Sequence, residues 1–230
     1  MYRMLAAVLL ATTAGCGAAA AADPAHPVVV ELFQSQGCSS CPPANASLNA
    51  IADRADVLAL SFAVTYWDQL GWKDIFGKPA YTGRQWDYAH AGGRSNVATP
   101  QMIVDGRVVI NGGNLQEDVA AIRQAARGAS GPAIAAAGGK VTIGRAPSRS
   151  PATVWLVRYD PRTLNVPIRA GENGGRTLPH KNIVRSIDAL GAWNGAPATF
   201  AIGASPNPVY RTAILVQQGK GGAIIAAAKI

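Results

Sequence analysis

Cysteine, histidine and methionine are all scarce in this 230-residue chain, at three each. So few cysteines exclude a disulfide-dense scaffold. The three histidines, His26, His90 and His180, are not paired at ligand spacing, which leaves a four-coordinate structural zinc short of partners. Charged residues make up only 15% of the chain, and no Lys/Arg cluster with interleaved aromatics marks a specific nucleic-acid surface. No internal repeat of solenoid period is present. Beyond the N-terminus, no segment approaches the ~20 uninterrupted apolar residues of a membrane span.

What is abundant is apolar and small: hydrophobic residues are 49% of the chain, enough for one large core or two modest ones. The start, MYRMLAAVLLATTAGCGAAAAA, has one early cation (Arg3), an apolar run and then small residues, the pattern of a secretory signal over residues 1–22. The mature protein is then expected in the periplasm or medium. Alternatively TTAGC is a lipoprotein signal with Cys16 lipidated, although Thr13 stands where such a motif usually has Leu. On either route Cys16 is removed or used, and Cys38 with Cys41 is the only intramolecular pairing in an oxidising compartment.

Charge is uneven. Residues 24–130 carry eight Lys/Arg against nine Asp/Glu, and residues 131–230 carry twelve against three. The basic second half favours contact with an anionic envelope surface.

PVVVELF, Pro27 to Phe33, reads as a buried strand. Ala44, Leu48, Ile51, Ala52 and Ala55 then recur at helical spacing, and VLALSFAV, Val57 to Val64, is a second strand. Strand, helix and strand form a βαβ unit with a parallel pair. An aromatic, turn-rich insertion around residues 66–79 precedes a helix from Ala80 to about Gly92. TPQMIVDGRVVING reads as a β-hairpin turned at Asp-Gly, and Asn114 caps the helix LQEDVAAIRQAAR, with Glu117 completing a capping box. The first half is therefore β-α-β-α-β-β-α. The small-residue stretch Gly128 to Gly139 marks a domain boundary, and five to seven antiparallel strands are expected after it. The fold class is α/β: residues 24–130 as one domain, then a smaller antiparallel β-rich domain over 131–230.

FQSQGCSSCPPANASL places Cys38-x-x-Cys41 between a strand and a helix, where free N–H groups and the helix dipole stabilise a thiolate. Cys38 is the candidate attacking thiol and Cys41 the resolving one, with Ser39 and Ser40 between them. Pro42 and Pro43 suit the first helical positions, and Cys41, preceding proline, belongs at or just outside the cap. Half a metal site is the competing reading: two thiolates suit Cu(I), and Met102 lies near the second motif, Thr99-Pro100. A redox-silent structural disulfide is the third.

The strand, the Cys-x-x-Cys, the helix and a Thr-Pro opening a hairpin together resemble the thioredoxin fold. VVVELFQSQGCSSCPPA, LALSFAVTYWDQLGWKD, TPQMIVDGR, VWLVRYDP and GENGGRTLPHKNIVR are similar to a family of secreted bacterial thioredoxin-like proteins catalogued as a domain of unknown function. The resemblance implies that Pro100 is cis and faces the cysteines, and that Thr99 contacts substrate. It also places Glu31 near the buried acid that serves the resolving thiol as a proton acceptor; the alternative is that Glu31 simply faces a cation or water at the strand end. Where the family has His and Asp, this chain has Ala63 and Thr65, so any role of those residues is lost or altered here. Tyr66, Trp67, Asp68 and Trp72 either wall a substrate groove, with Trp67 foremost, or pack the insertion down. GRTLPHKNIVR, with His180, Lys181 and Arg185, is expected as a loop that either approaches the site or lies solvated. The function this implies is thiol-disulfide exchange by a monomer with protein or small-molecule thiols and disulfides, needing no cofactor or metal.

Overall fold

A computed structural model of the chain describes residues 22–230; Cys16 and the N-terminal apolar run expected as a signal lie outside the described residues. The first half follows the expected order: β1 (Val28–Gln34), α1 (Pro42–Ile51), β2 (Val57–Ala63), α2 (Pro79–Ala91), β3 (Gln101–Val104), β4 (Val108–Ile110) and α3 (Leu115–Ala125). The hairpin turns through Asp105 and Gly106, whose φ of 46° and 66° are the left-handed values an Asp-Gly pair supplies at low cost. Asn114 caps α3 by accepting from the backbone N–H groups of Gln116 and Glu117, and its amide donates to the Glu117 carboxylate.

The second half is all β: β5 (Ile134–Ala137), β6 (Lys140–Ile143), β7 (Ala152–Asp160), β8 (Leu164–Pro167), β9 (Thr177–His180), β10 (Ile183–Trp193), β11 (Ala198–Ala201), β12 (Arg211–Gln218) and β13 (Ile224–Lys229). Nine strands form where five to seven were expected. The additions are β5, inside the small-residue stretch, and β9 and β10, in the segment expected as a loop.

The two-domain expectation needs correction, because one eight-stranded mixed sheet, β13-β12-β7-β10-β2-β1-β3-β4, crosses the proposed boundary. β1 and β2 are parallel in register from Val28/Val57 to Gln34/Ala63, and β10 joins β2 in parallel at Ile183/Ser61. A smaller sheet, β11-β6-β5, covers one face of the second half, and β8-β9 is a separate ribbon. The core is shared as well: Val29, Phe33 and Leu60 pack in one cluster with Val157, Tyr159, Val184 and Leu215. At about 2 kcal/mol for each buried side chain, exposing even four of these would forfeit a large part of a normal folding free energy. The halves therefore fold as one sheet-centred body.

β1 is buried on both faces, which explains its unbroken apolar run. Val28, Val30 and Leu32 face α1 through Ala44, Leu48 and Ile51. Val29 and Phe33 face Tyr88 of α2. Glu31 shares their parity and so points away from α1, which corrects its expected place beside Cys41. There Arg84 donates through Nε to Glu31 Oε1 at 2.7 Å and through Nη2 to Oε2 at 3.1 Å, and the Tyr88 hydroxyl donates to Oε2. Arg84 also donates to Gln217 of β12 at 3.1 Å and lies over the Trp155 ring of β7 at 5.4 Å. One buried guanidinium thus ties both halves to α2.

A further cluster gathers Ala63, Phe76, Val166, Ile168, Leu178 and Ile183. His180 is fully buried with its ring edge-on to Phe76 at 5.8 Å, and neither ring nitrogen has a partner among the described residues. Burial pushes its imidazole down to about 4, so the ring is neutral near pH 7. The sequence TLPH is thus a core-facing strand rather than an active-site loop.

Two measurements check these contacts. Arg84→Met alone leaves the Glu31 carboxylate buried and unpaired and should cost about 3–5 kcal/mol in urea unfolding, whereas Glu31→Leu/Arg84→Met should regain most of it; a double variant no more stable than the single would contradict the pairing. For His180, the unfolded chain takes up a proton below about 6.5 that the folded ring refuses until about 4. Stability should therefore fall through that window, and the difference between His180→Phe and wild type should grow by about 3 kcal/mol as pH drops from 6.5 to 4. A pH-independent difference would mean that the ring is hydrated.

Candidate functional site

The site lies where β1 ends. Beyond Gln34 the chain turns through Ser35 to Cys41, with Cys38 N–H donating to Ser35 O and Cys41 N–H to Cys38 O, both at 3.2 Å. Cys41 is the N-cap of α1 and Pro42 and Pro43 occupy its first two positions. Its φ and ψ, −78° and −29°, are helical despite the following proline, and the bond to Cys38 O holds it there. Because neither proline has an N–H, Ala44 is the first residue of the helix to bring one to the cap. Cys38 and Cys41 form a disulfide with Cα atoms 5.4 Å apart.

Both sulfur residues are buried while Ser39 and Ser40 are exposed. The Thr99–Pro100 peptide is cis. The Thr99 carbonyl oxygen lies 3.8 Å from Cys38 Sγ. The Ser40 hydroxyl lies 3.3 Å from that sulfur and 3.4 Å from Thr99 O. A disulfide sulfur has no proton to give, so the single Ser40 proton goes either to Cys38 Sγ or to Thr99 O. α2 fixes the Thr99 segment from behind, as Gln85 Nε2 donates to Ala98 O at 2.8 Å and to Gln101 Oε1 at 3.1 Å.

The insertion forms one wall. Trp67 Nε1 donates to Thr99 Oγ1 at 2.7 Å, and Trp72 Nε1 donates to Gln36 Oε1 at 2.9 Å. Beneath them Asp74 accepts from Gln36 N–H and Phe76 N–H, each at 2.8 Å. Burial pushes the Asp74 carboxyl up to about 6, with the Asp68 charge adding to the rise and the two backbone donors opposing it. Trp67 and Trp72 therefore both pack the insertion down and wall the site. Thr65, at one of the departures from the family pattern, bonds the Thr82 hydroxyl at 3.1 Å, and Ala63 is buried in the core.

The opposite wall comes from the second half. The β8-β9 ribbon runs beside α1, with Asn49 Nδ2 donating to Pro179 O at 3.0 Å and Lys181 paired with Asp53. Its tip, Ala170 to Gly175, reaches the disulfide turn. Asn173 is fully buried, and its Nδ2 donates to Gln36 O and to Cys38 O, both at 2.9 Å. Arg176 Nη1 holds its Oδ1 at 2.8 Å. Glu172 Oε2 accepts from Ser39 N–H at 3.0 Å, and that bond holds the Glu172 carboxyl below the usual carboxylate range. Gly171 has φ of 71°, and a Cβ there would stand 3.1 Å from Trp72 Cβ, so the tip and the insertion meet at a glycine.

The structure thus brings together Cys38, Cys41, Ser39, Ser40, Trp67, Thr99 and Pro100, and leaves Glu31 on the other face of the sheet. Glu172, Asn173 and Asp74 were not foreseen. AGENGG carries a tight-turn signal but nothing in sequence says over which part of the molecule it folds, and Asp74 sat in a segment read for its aromatics. Met102, the thioether considered for copper, packs with Leu32, Ala44 and Leu48 in the core under α1. Among the described residues no three His, Cys, Asp or Glu side chains converge on a metal-sized site.

The resulting arrangement is a closed disulfide turn. A thiolate attacking a disulfide must reach one sulfur along the S–S axis, and here both cysteines are fully buried, with Thr99 and Ser40 against Cys38 Sγ and the ribbon tip bonded to the backbone of the turn. Chemistry at Cys38 requires that cover to move, and its weakest part is the exposed Glu172–Ser39 contact.

No protein of curated function matches the sequence. The chain is similar to an Agrobacterium tumefaciens protein whose crystal structure was solved as a structural-genomics target, with 31% identity, a TM-score of 0.72, and coverage of 88% of this chain and 93% of that one. It also shares its fold with HBP35 of Porphyromonas gingivalis, at 14% identity and a TM-score of 0.60, over 89% of this chain and 74% of the other. The family model described as Protein of unknown function (DUF1223) matches residues 29–217, which is most of the chain and includes both walls of the disulfide site. The chain belongs to the DUF1223 family.

Proposed function

We propose that the Cys38–Cys41 pair is the thiol-disulfide exchange centre of a thioredoxin-like protein that works in the periplasm or outside the cell. The observation that carries this reading is the Thr99 carbonyl at 3.8 Å from Cys38 Sγ, with Cys41 capping the helix beyond. A purely structural staple has no need of a backbone acceptor beside one sulfur, whereas a mixed disulfide uses one to align the partner chain. The order β2-β1-β3-β4, with α1 and α3 on one face and α2 on the other, supports the same reading.

In the oxidised protein a partner thiolate attacks Cys38 Sγ, the S–S bond breaks, and Cys41 leaves as a thiolate that takes up a proton from solvent. A second partner thiol then attacks the mixed disulfide and releases Cys38, so that the partner gains a disulfide and Cys38 and Cys41 hold the two electrons. Run backwards, the same steps reduce a partner disulfide. Ser40 donates to the Cys38 sulfur as charge develops there, and the free N–H groups at the start of α1 add to it. The carboxylate of Glu172 opposes that charge while the cover is closed.

The complete burial of both cysteines favours one competing reading, a redox-silent disulfide. Equilibration with glutathione buffers separates the two. A reduction potential above about −270 mV, with Cys38 alkylation titrating below about pH 7.5, is expected for the exchange centre. A potential below about −300 mV with an unreactive thiol would replace that reading with a structural bridge. The cover has its own test. Asn173→Ala removes the Arg176 contact and the two neutral hydrogen bonds that tie the ribbon tip to the turn, the latter contributing about 0.5–1.5 kcal/mol each, so the disulfide should be reduced by excess dithiothreitol roughly tenfold faster. An unchanged rate would mean that the ribbon tip does not gate Cys38.

A further inference from the structure

A second recessed feature lies away from the disulfide, along one edge formed by strand ends of the central sheet, where the insertion meets the second half. It is a cleft of about 290 Å³ whose lining includes Phe76, Lys78, Arg158, Arg185 and Tyr210. Its chemistry is one-sided. Arg158 is only 7% exposed, yet its guanidinium donates only to the Thr212 hydroxyl and the Gly203 carbonyl, both neutral. Among the described residues neither Arg158 nor Lys78 is paired with a carboxylate. Asp160, the acid at this edge, is already shared by Arg162 at 2.8 Å and Arg185 at 3.4 Å. Arg185 Nε is buried with no acceptor among the described residues.

A guanidinium removed from water without a counter-charge is costly, and the two neutral hydrogen bonds of Arg158 offset only part of that cost. The cation array is also held in place. Lys78 Nζ donates to the Arg185 carbonyl, and the Arg185 guanidinium lies over the rings of Phe76 at 4.8 Å and Tyr210 at 5.6 Å. Stacking of this kind leaves a planar fork fixed in orientation, the arrangement that recognises a carboxylate. The remaining wall is apolar, from Phe76, Val184, Pro206 and the exposed Ile75. The volume stands at the lower end of small-molecule sites, ~300–1,000 Å³.

We propose that this cleft binds a small organic monocarboxylate with an aromatic or branched apolar body, its carboxylate toward Arg158 and Lys78 and its body against Phe76, Ile75 and Tyr210. Arg158 and Lys78 supply the charge, and the ring pair that holds Arg185 supplies the shape. A bare inorganic anion would meet the charge and leave the apolar wall unused.

Titration calorimetry on the full protein, with phenylacetate, phenylacetamide and inorganic phosphate as probes, tests this. Phenylacetate should bind saturably, and phenylacetamide, which lacks the charge, should bind at least about tenfold more weakly. Lys78→Gln, a change at the rim that leaves Arg158 in place, should weaken phenylacetate by about tenfold, and Tyr210→Ala should weaken phenylacetate without altering any response to phosphate. Cys38→Ser/Cys41→Ser should bind phenylacetate as the wild type does, which keeps the result independent of redox chemistry. No saturable phenylacetate binding, equal binding of phenylacetate and its amide, binding of phosphate alone, or a Lys78→Gln protein indistinguishable from wild type would each overturn the assignment.

Discussion

A single short parallel contact, between Ser61 of β2 and Ile183 of β10, organises this molecule. Ser61 N–H donates to Asn182 O at 2.9 Å, and the Asn182 side chain reaches back to Ala59 O at 2.9 Å. Asn182 itself is left-handed, φ 50°, a conformation that asparagine tolerates better than most side chains. By turning there the chain leaves the β8-β9 ribbon beside α1 and enters the central sheet next to β2. Because the ribbon is fixed at that end, its tip falls on the disulfide turn. The joined sheet, the shared core and the cover over Cys38 all follow from where β10 docks.

Charge is placed according to the faces that this sheet creates. On the α2 face the Glu31–Arg84 pair is buried and bound in three directions, to Tyr88, to Gln217 and to the surrounding rings. Such a pair contributes specificity more than stability, since its Coulomb attraction is offset by the cost of desolvating both ions. Near the disulfide the polar groups are of another kind. Asn173, Gln36 and the Thr99 carbonyl are neutral dipoles, and of the two carboxylates that touch the turn, Asp74 meets the Gln36 N–H away from the sulfurs and Glu172 stands at the exposed rim. A neutral, water-poor setting around two sulfurs keeps the disulfide favoured while it is covered, and makes uncovering the step on which the proposed exchange turns.

Local structure in the first half was legible because each element is announced by its own neighbours. Val28 to Phe33 is a β-branched run flanked by turn residues, Asp105-Gly106 dictates a tight hairpin, and Asn114 with Glu117 caps α3 from within four residues. The Cys38–Cys41 turn and the Thr99-Pro100 motif were legible for the same reason. β10 was not. Its residues alternate poorly in burial, it carries Gly191, and its pairing with β7 is interrupted by bulges near Arg185 and Leu190. A strand so irregular has no clean period for a reader to find, and missing it produced two domains where one sheet runs through both.

The sequence by itself determined the order of helices and strands in the first half, the disulfide turn at the head of α1 and the Thr-Pro loop, because these depend on residues a few positions apart. Tertiary structure alone decided which face Glu31 takes, since one residue of parity separates α1 from Arg84 and parity has meaning only once the neighbours of the strand are known. It also decided that Glu172 and Asn173 lie on a turn 133 and 135 residues away from them in sequence, and that Lys78, Arg158 and Arg185 share one cleft. Contacts over such separations are set by how β10 closes the sheet, and no local pattern in the chain encodes that closure.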